Sequence, residues 1–379
     1  MEKDWLEIRS QFPVFKNYVY LDQAHKAPLP LFVTRAIQQF LENQQMTGGD
    51  KSYWNYEVNK TREKIARLIK AEPEEICFTK NTSEGLNIAA NGIQFNPGDN
   101  IIINDNEHPN NIYCWLKHKE NGIDIRWASS QKGITNIENL MPLIDDSTRL
   151  ISISYVTSMP GNRNDIKAIS EYCKKRGIFL VTDAIQAMGL LDVNVKEEGI
   201  DMLAAGGHKG LLVPHGIGVF YCNKDIIDSI KPAYVATAGL INDTNNERGT
   251  LQYKLALSGS AKRFEIGNYN YLGIIALSHS LDYINNIGIE RIQQRIIDLS
   301  DYLVNGLLDL GVELVSPKEK LYRSGIVSFK TKYTNSLHRK LIQERIITSY
   351  RRGSIRVSMG MYNNKEDLER LLKIVKSYS

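Results

Sequence analysis

Cysteine is scarce in this chain: four occur in 379 residues, Cys77, Cys114, Cys173 and Cys222, and they are widely separated. That spacing excludes a CxxC redox pair and any clustered metal site, and makes free, buried thiols the expectation. Cys114 lies in the amphipathic run IYCWLKH, a pattern that assigns it to the core rather than to a nucleophile's position. Long apolar runs are missing too. No stretch approaches the roughly 18 apolar residues of a membrane helix, and the opening MEKDWLEIRSQF is charged where a signal peptide would be apolar. The expected location is the cytoplasm. Charge of one sign is not in excess: 47 lysines and arginines face 43 aspartates and glutamates, leaving +4. Without a basic block, neither nucleic acid nor a membrane surface is an expected partner. No G-x-G-x-x-G turn follows a strand, which removes a dinucleotide-binding oxidoreductase. Internal repeats and low-complexity segments are also absent.

What is present is an ordinary globular composition, 42% hydrophobic, long enough for two or three structural units. Apolar, β-branched runs recur at NIIIND (100 to 105), RLISISYV (149 to 156), GIFLVTDA (177 to 184), IDMLAA (200 to 205) and GIGVFYC (216 to 222). Helical spacing lies between them, as in VNKTREKIARLIKA (58 to 71) and DIKAISEYCKKRG (165 to 177), where Gly177 marks a stop. The alternation predicts an α/β fold with a mainly parallel central sheet covered on both faces. From about residue 275 a long helical stretch gives way to the short strands GIVSFK and SIRVSMG and a last helix from about 364. The organisation expected is a large α/β domain over 21–274, and a smaller α+β domain from 1–20 and 275–379. The polar segment TAGLINDTNNERGTLQ (237 to 252) reads as a solvated connection.

Candidate chemistry gathers where consecutive strands end, because loops after parallel strands meet at one sheet edge. VTDAIQ and AAGGHKG place Asp183, Gln186 and Lys209 there. An ionised Asp183 could keep a pyridinium nitrogen protonated, and Gln186 could hydrogen-bond a ring phenolic oxygen. Lys209, flanked by Gly206, Gly207 and Gly210, could form an imine and then move a proton. Alone, Asp183 reads equally well as a helix cap and Lys209 as a solvated surface lysine. In FTKNTSEGLNIAANG (78 to 92), Thr82 and Ser83 open a helix and could seat a phosphate, or serve as ordinary caps. In NDNEHPNN (104 to 111), His108 follows a strand and could stack on a planar cofactor or be merely structural.

These motifs together resemble the class V aminotransferases of pyridoxal-phosphate (PLP) fold type I, a family that includes cysteine desulfurases, selenocysteine lyases and isopenicillin N epimerase-like proteins. The resemblance runs in order through YLDQAHKAPLP (20 to 30), FTKNTSEGLN, EHPNN, VTDAIQ, GGHKG, RFEIGNYN (263 to 270) and GSIRVSMGMYNN (353 to 364). It implies pyridoxal 5'-phosphate as cofactor, with Lys209 as the Schiff-base lysine, Asp183 at the pyridine nitrogen and Gln186 at the phenolic oxygen. His108 would stack on the ring, while Thr82, Ser83 and His208 bind phosphate. Arg356 would clamp the substrate α-carboxylate, for which its planar fork is suited. A homodimer with shared sites is implied, Asn268 reaching the partner's phosphate, although the family more often has threonine at that place. His25, Lys26, Tyr53, Trp54 and Arg351 lie in segments that border the amino-acid substrate in relatives; of these His25 is taken as a substrate-binding candidate.

Two departures narrow the reaction. Cysteine desulfurases keep a nucleophilic cysteine between the lysine and the carboxylate-binding arginine, and here none follows Cys222. Barring an unexpected approach by Cys114 or Cys222, the desulfurase mechanism is excluded. In SYVTSMPG (154 to 161), Tyr155 and Ser158 stand where desulfurases carry His and Asn. Ser158, taken as a cofactor contact, resembles the epimerase-like branch; Tyr155 fits neither pattern, and packing beneath the cofactor is the expectation for its ring. The expected chemistry is β-elimination or epimerisation, with transamination as the alternative and a catalytically silent PLP-binding scaffold as the alternative of another class.

Overall fold

A computed structural model of the chain describes residues 2–130, 133–241 and 255–378. It begins with α1 (Glu2–Ser10), β1 (Val19–Tyr20), α2 (Leu31–Thr47) and α3 (Lys51–Ile69). Strands and helices then alternate through β2 (Ile76–Thr79), α4 (Thr82–Gly92), β3 (Asn100–Asn104), α5 (Asn110–Leu116), β4 (Asp124–Ala128) and α6 (Ile137–Leu140). They continue as β5 (Thr148–Ser154), α7 (Ile166–Lys174), β6 (Phe179–Asp183), β7 (Met202–Gly206) and β8 (Gly218–Cys222). The C-terminal part holds α8 (Tyr271–Ile287), α9 (Ile289–Asp309), β9 (Glu313–Leu314), β10 (Ile326–Lys330) and α10 (Thr334–Gln343). After these come β11 (Ile346–Ile347), β12 (Ser349–Arg351), β13 (Ser354–Ser358) and α11 (Lys365–Val375).

Seven strands form the central sheet in the order β2-β8-β7-β6-β5-β3-β4. The pairs from β7 to β4 are parallel, and β8 runs antiparallel to both of its neighbours. Alternate residues of these strands enter two different buried clusters: Ile102, Ile151 and Leu180 on one face, Ile103, Leu150 and Val181 on the other. Burial on both faces explains why the strands appear in the sequence as unbroken apolar runs. The helices begin where a side chain can satisfy a free N–H. Asn81 accepts from Glu84 N at the start of α4, and Asp165 from Ala168 N at the start of α7.

The second sheet, β12-β13-β10-β9, is antiparallel throughout and packs one face on α9, α10 and α11 in a third buried cluster. The long helical stretch read after residue 275 is two helices, α8 and α9, meeting at Gly288. The boundary read at 274/275 falls within α8, whose Ile274, Leu277 and Leu281 join the cluster under the large sheet. From residue 242 to 252 the expected solvated connection lies outside the described residues. No helix among the described residues is long and apolar enough to cross a membrane.

Candidate active site

The carboxyl edge of the large sheet brings the sequence candidates together. Asp183 ends β6 and is buried; its Oδ1 accepts from Ile185 N at 3.0 Å, and its main-chain oxygen from Tyr155 N at 2.8 Å. No helix starts here, so Asp183 is not a helix cap; its bond to Ile185 N closes a turn and uses one carboxylate oxygen. Burial pushes this carboxyl up to about 6, while the charge of Lys209 pulls it back. Lys209 is only 8% exposed, which rules out a solvated surface lysine. Burial pushes its amine down to about 8, opposed by Asp183 and Asp22 and reinforced by Arg356. Its loop is pinned by main-chain bonds: Gly207 N to Ile217 O at 2.9 Å, Leu212 N to Lys209 O at 3.0 Å, and Ala27 N to His208 O at 2.9 Å.

On one flank, Thr82 and Ser83 begin α4, and Asn81 rather than either hydroxyl caps the helix. Thr82 Oγ1 is buried without a hydrogen-bond partner among the described residues. A Cβ at Gly206 would meet Thr82 Oγ1 and His208 Nδ1, both at 3.2 Å, so glycine keeps the space between them open. His208 stacks on His215 with centroids 4.1 Å apart. Burial pushes His208 down to about 4, helped by His215 and Lys209, so its ring is neutral near neutrality. Gln186 donates through Nε2 to Ala24 O at 3.0 Å, and its buried Oε1 has no partner among the described residues. His108 accepts from Asn110 N at 3.2 Å. Crowding around its exposed ring lowers its basicity first, and the charges of Lys209, Arg356 and Arg351 lower it further.

On the other flank, Arg356 lies in β13 between Ser328 of β10 and Ser349 of β12. Its Nη1 donates to Ser158 O at 2.9 Å, and its Nη2 reaches Asp22 Oδ1 at 3.4 Å and Ser349 Oγ at 3.3 Å. Nε is buried without a partner among the described residues. Burial lowers the basicity of this guanidinium, and Asp22 only partly opposes that. Ser158 thus enters through its carbonyl. His25 stands exposed beside Asp22, within electrostatic reach of Arg351 and Arg356.

The side chains of Asn268 and Tyr155 engage other clefts. Asn268 is exposed and lines a separate cleft of about 370 Å³ with Thr79, Lys80 and Gly216. Tyr155 is buried, but its hydroxyl donates to Glu198 at 2.5 Å and accepts from Arg163 at 3.3 Å, at the wall of another cleft. Three residues with no expected role also stand at these motifs; Asp22 faces Arg356. Glu107, next to His108, is buried and takes hydrogen bonds from Ser154 N, Ser154 Oγ and Asn111 Nδ2. Glu265 of RFEIGNYN accepts from both Nη atoms of Arg62, from Phe78 N and from Tyr269 Oη. In the sequence Glu107 adjoins His108, while Asp22 and Glu265 each stand three residues before a site candidate, His25 and Asn268. All four cysteines are free and buried, and burial pushes the Cys114 thiol up to about 12.

These residues fit a phosphate-bearing pyridine aldehyde. A buried lysine with lowered basicity, a buried carboxylate beside it, and two buried oxygens without partners, on Gln186 and Thr82, are what such a ligand would engage.

The family model described as "Aminotransferase class-V" matches residues 19–371. The chain is 32% identical over 330 residues to a protein of Methanothermobacter thermautotrophicus named "Probable cysteine desulfurase", covering 85% of this chain and 80% of that one. It is 30% identical to an uncharacterized aminotransferase of Schizosaccharomyces pombe, covering 97% and 94%. The apo structure of a cysteine desulfurase from Thermococcus onnurineus NA1 superposes with a TM-score of 0.89 at 26% identity, covering 98% and 97%.

Proposed function

The chain belongs to the class V aminotransferase family and is a PLP-dependent enzyme; on that premise we propose that it catalyses β-elimination on an amino acid, with Lys209 moving the α-proton. The carrying observation is the buried Lys209, within electrostatic reach of Asp183 and Arg356, with its amine pushed down to about 8. When bound, the cofactor supplies an electron sink for the pair left at the α-carbon. Lys209 would hold that cofactor through its amine, and a lysine near pH 8 keeps a usable neutral fraction for proton transfer close to neutrality. Asp183 would hold the proton on the ring nitrogen, the Gln186 amide would hydrogen-bond the ring's phenolic oxygen, and His108 would cover the ring face. Thr82, Ser83 and His208 would take the phosphate. Arg356 would bind the α-carboxylate with its fork and so orient the α-proton toward Lys209.

The position of the thiols favours release of a β-substituent as a small molecule over its transfer to a protein thiol. Relatives named for removing sulfur from cysteine are the natural comparison. In this chain every thiol is held in the core, with its deprotonation disfavoured by burial. A β-substituent must therefore leave as a small molecule rather than onto a protein thiolate. The same proposal includes a homodimer in the cytoplasm, with Asn268 serving the partner's phosphate; light scattering that returned a monomer would remove that shared site.

The test is the visible absorption of the PLP-reconstituted protein, wild type and Lys209→Ala, followed by a panel of amino acids. The expected result is a visible band that the variant lacks, and keto-acid release with the band restored. A pyridoxamine-like band instead means transamination, and loss of optical activity without either means epimerisation. No band in the wild type means a scaffold without turnover.

A further inference from the structure

The small sheet has two unlike faces. Val327, Phe329, Ile355 and Val357 point into the core formed with α9, α10 and α11. The alternate positions point the other way, because successive side chains of a strand alternate in direction. There Ser349, Arg356 and Ser328 stand opposite one another as one polar row. One pleat further lies a second row, with Arg351 opposite Ser354 and Lys330 on the far side of it. Two residues of strand separate the rows by about 7 Å. The β12–β13 turn is tight, with Arg352 at φ 47 and Gly353 at φ 76.

This second row edges a cleft of about 560 Å³ that runs from Met159 and Pro160, next to Ser158, to Lys318, Lys330, Arg352 and Ser354. Two features make it more than a solvated rim. Ser354 is fully buried and its Oγ has no hydrogen-bond partner among the described residues. The lining cations Lys318, Lys330 and Arg352, and Arg351 opposite the lining Ser354, are in no ion pair among the described residues, although Glu319 lines the cleft and Glu313 of β9 stands opposite Lys330. Arg351 is also near enough to His25 and His108 for its charge to act on both.

We propose that Arg351, Ser354 and Lys330, with Arg352 and Lys318 at the rim, form a subsite for a second anionic group, so that the enzyme selects amino acids whose side chain carries a carboxylate. The proposal rests on the reading that Arg356 takes the α-carboxylate; the subsite then receives the distal acid one pleat away. The test uses the PLP-loaded enzyme and the shift of its visible band on titration with glutamate and with its neutral isostere glutamine. The expected Kd for glutamate is lower by about tenfold or more, the size of one charge-assisted hydrogen bond. In Lys330→Met combined with Arg351→Gln, both at half-buried or exposed positions, that ratio falls toward one while the visible band is retained. Equal binding of the two amino acids by wild type, or a ratio unmoved in the double variant, overturns the subsite. Arg356→Gln separates the two readings, since it weakens both amino acids alike if Arg356 holds the α-carboxylate. If it weakens neither, or if no amino acid shifts the wild-type band, the underlying reading fails and the subsite with it.

Discussion

Arg62 and Arg356 are both buried and both face a carboxylate, yet they are built for different ends. Arg62 grips Glu265 with both Nη atoms, at 2.9 and 3.2 Å, and lies over the Phe78 ring at 4.8 Å. Burial works against its charge, but Glu265 more than offsets that and holds the guanidinium above its ordinary range. Arg356 reaches Asp22 at only 3.4 Å, and Asp22 is already engaged by Ser349 Oγ at 2.8 Å. Its basicity ends up lowered. The first pair is closed and ties α3 to the segment 263–270. The second holds its carboxylate more loosely, at 3.4 Å, within electrostatic reach of Lys209, which is the state expected of a receptor for an incoming carboxylate.

The contrast can be broken by experiment. Arg62→Ala leaves Glu265 buried without its counter-charge, and a loss of about 3–5 kcal/mol in unfolding free energy is expected. Urea unfolding of the apo protein measures it, and Arg62→Met combined with Glu265→Gln should recover much of the loss. Arg356→Gln is expected to do the opposite. Stability should change by no more than about 1 kcal/mol, because Asp22 keeps Ser349, while kcat/KM falls by about a hundredfold, mainly through KM. An Arg356 variant that unfolded as readily as the Arg62 variant would erase the distinction.

How far the sequence reveals this depends on whether a motif's reason is local. The strands of the central sheet could be read because burial on both faces leaves unbroken apolar runs, and α7 because its apolar spacing and Gly177 bracket it. Lys209, Asp183 and Gln186 could be read because strand ends meet at one edge. The pairings of Arg62 with Glu265 and of Asp22 with Arg356 could not, since each joins residues more than two hundred positions apart and nothing local specifies the partner. The antiparallel direction of β8 was hidden for the same reason: GIGVFYC is as apolar as its parallel neighbours. Tyr155, expected beneath the cofactor, has its hydroxyl held by Glu198 and Arg163, which only the fold brings to it.

Glu107 supplies the smallest test, and it extends the contrast from arginines to carboxylates. Glu265 has a counter-charge; Glu107 is buried with neutral donors only, Ser154 and Asn111, and burial pushes its carboxyl up to about 7, with Asp183 adding to that. A carboxyl whose folded pKa is raised contributes stability that is complete below its unfolded value, about 4.3, and is lost as pH rises through the folded value. Apo wild type should therefore lose on the order of 2 kcal/mol between about pH 5 and 8 relative to Glu107→Gln, which has no proton to release. Urea midpoints of the two proteins across that range give the difference. Parallel slopes would mean that Ser154 and Asn111 stabilise the carboxylate as fully as Arg62 stabilises Glu265, and that a counter-charge is not what separates the structural acids of this fold from those beside Lys209.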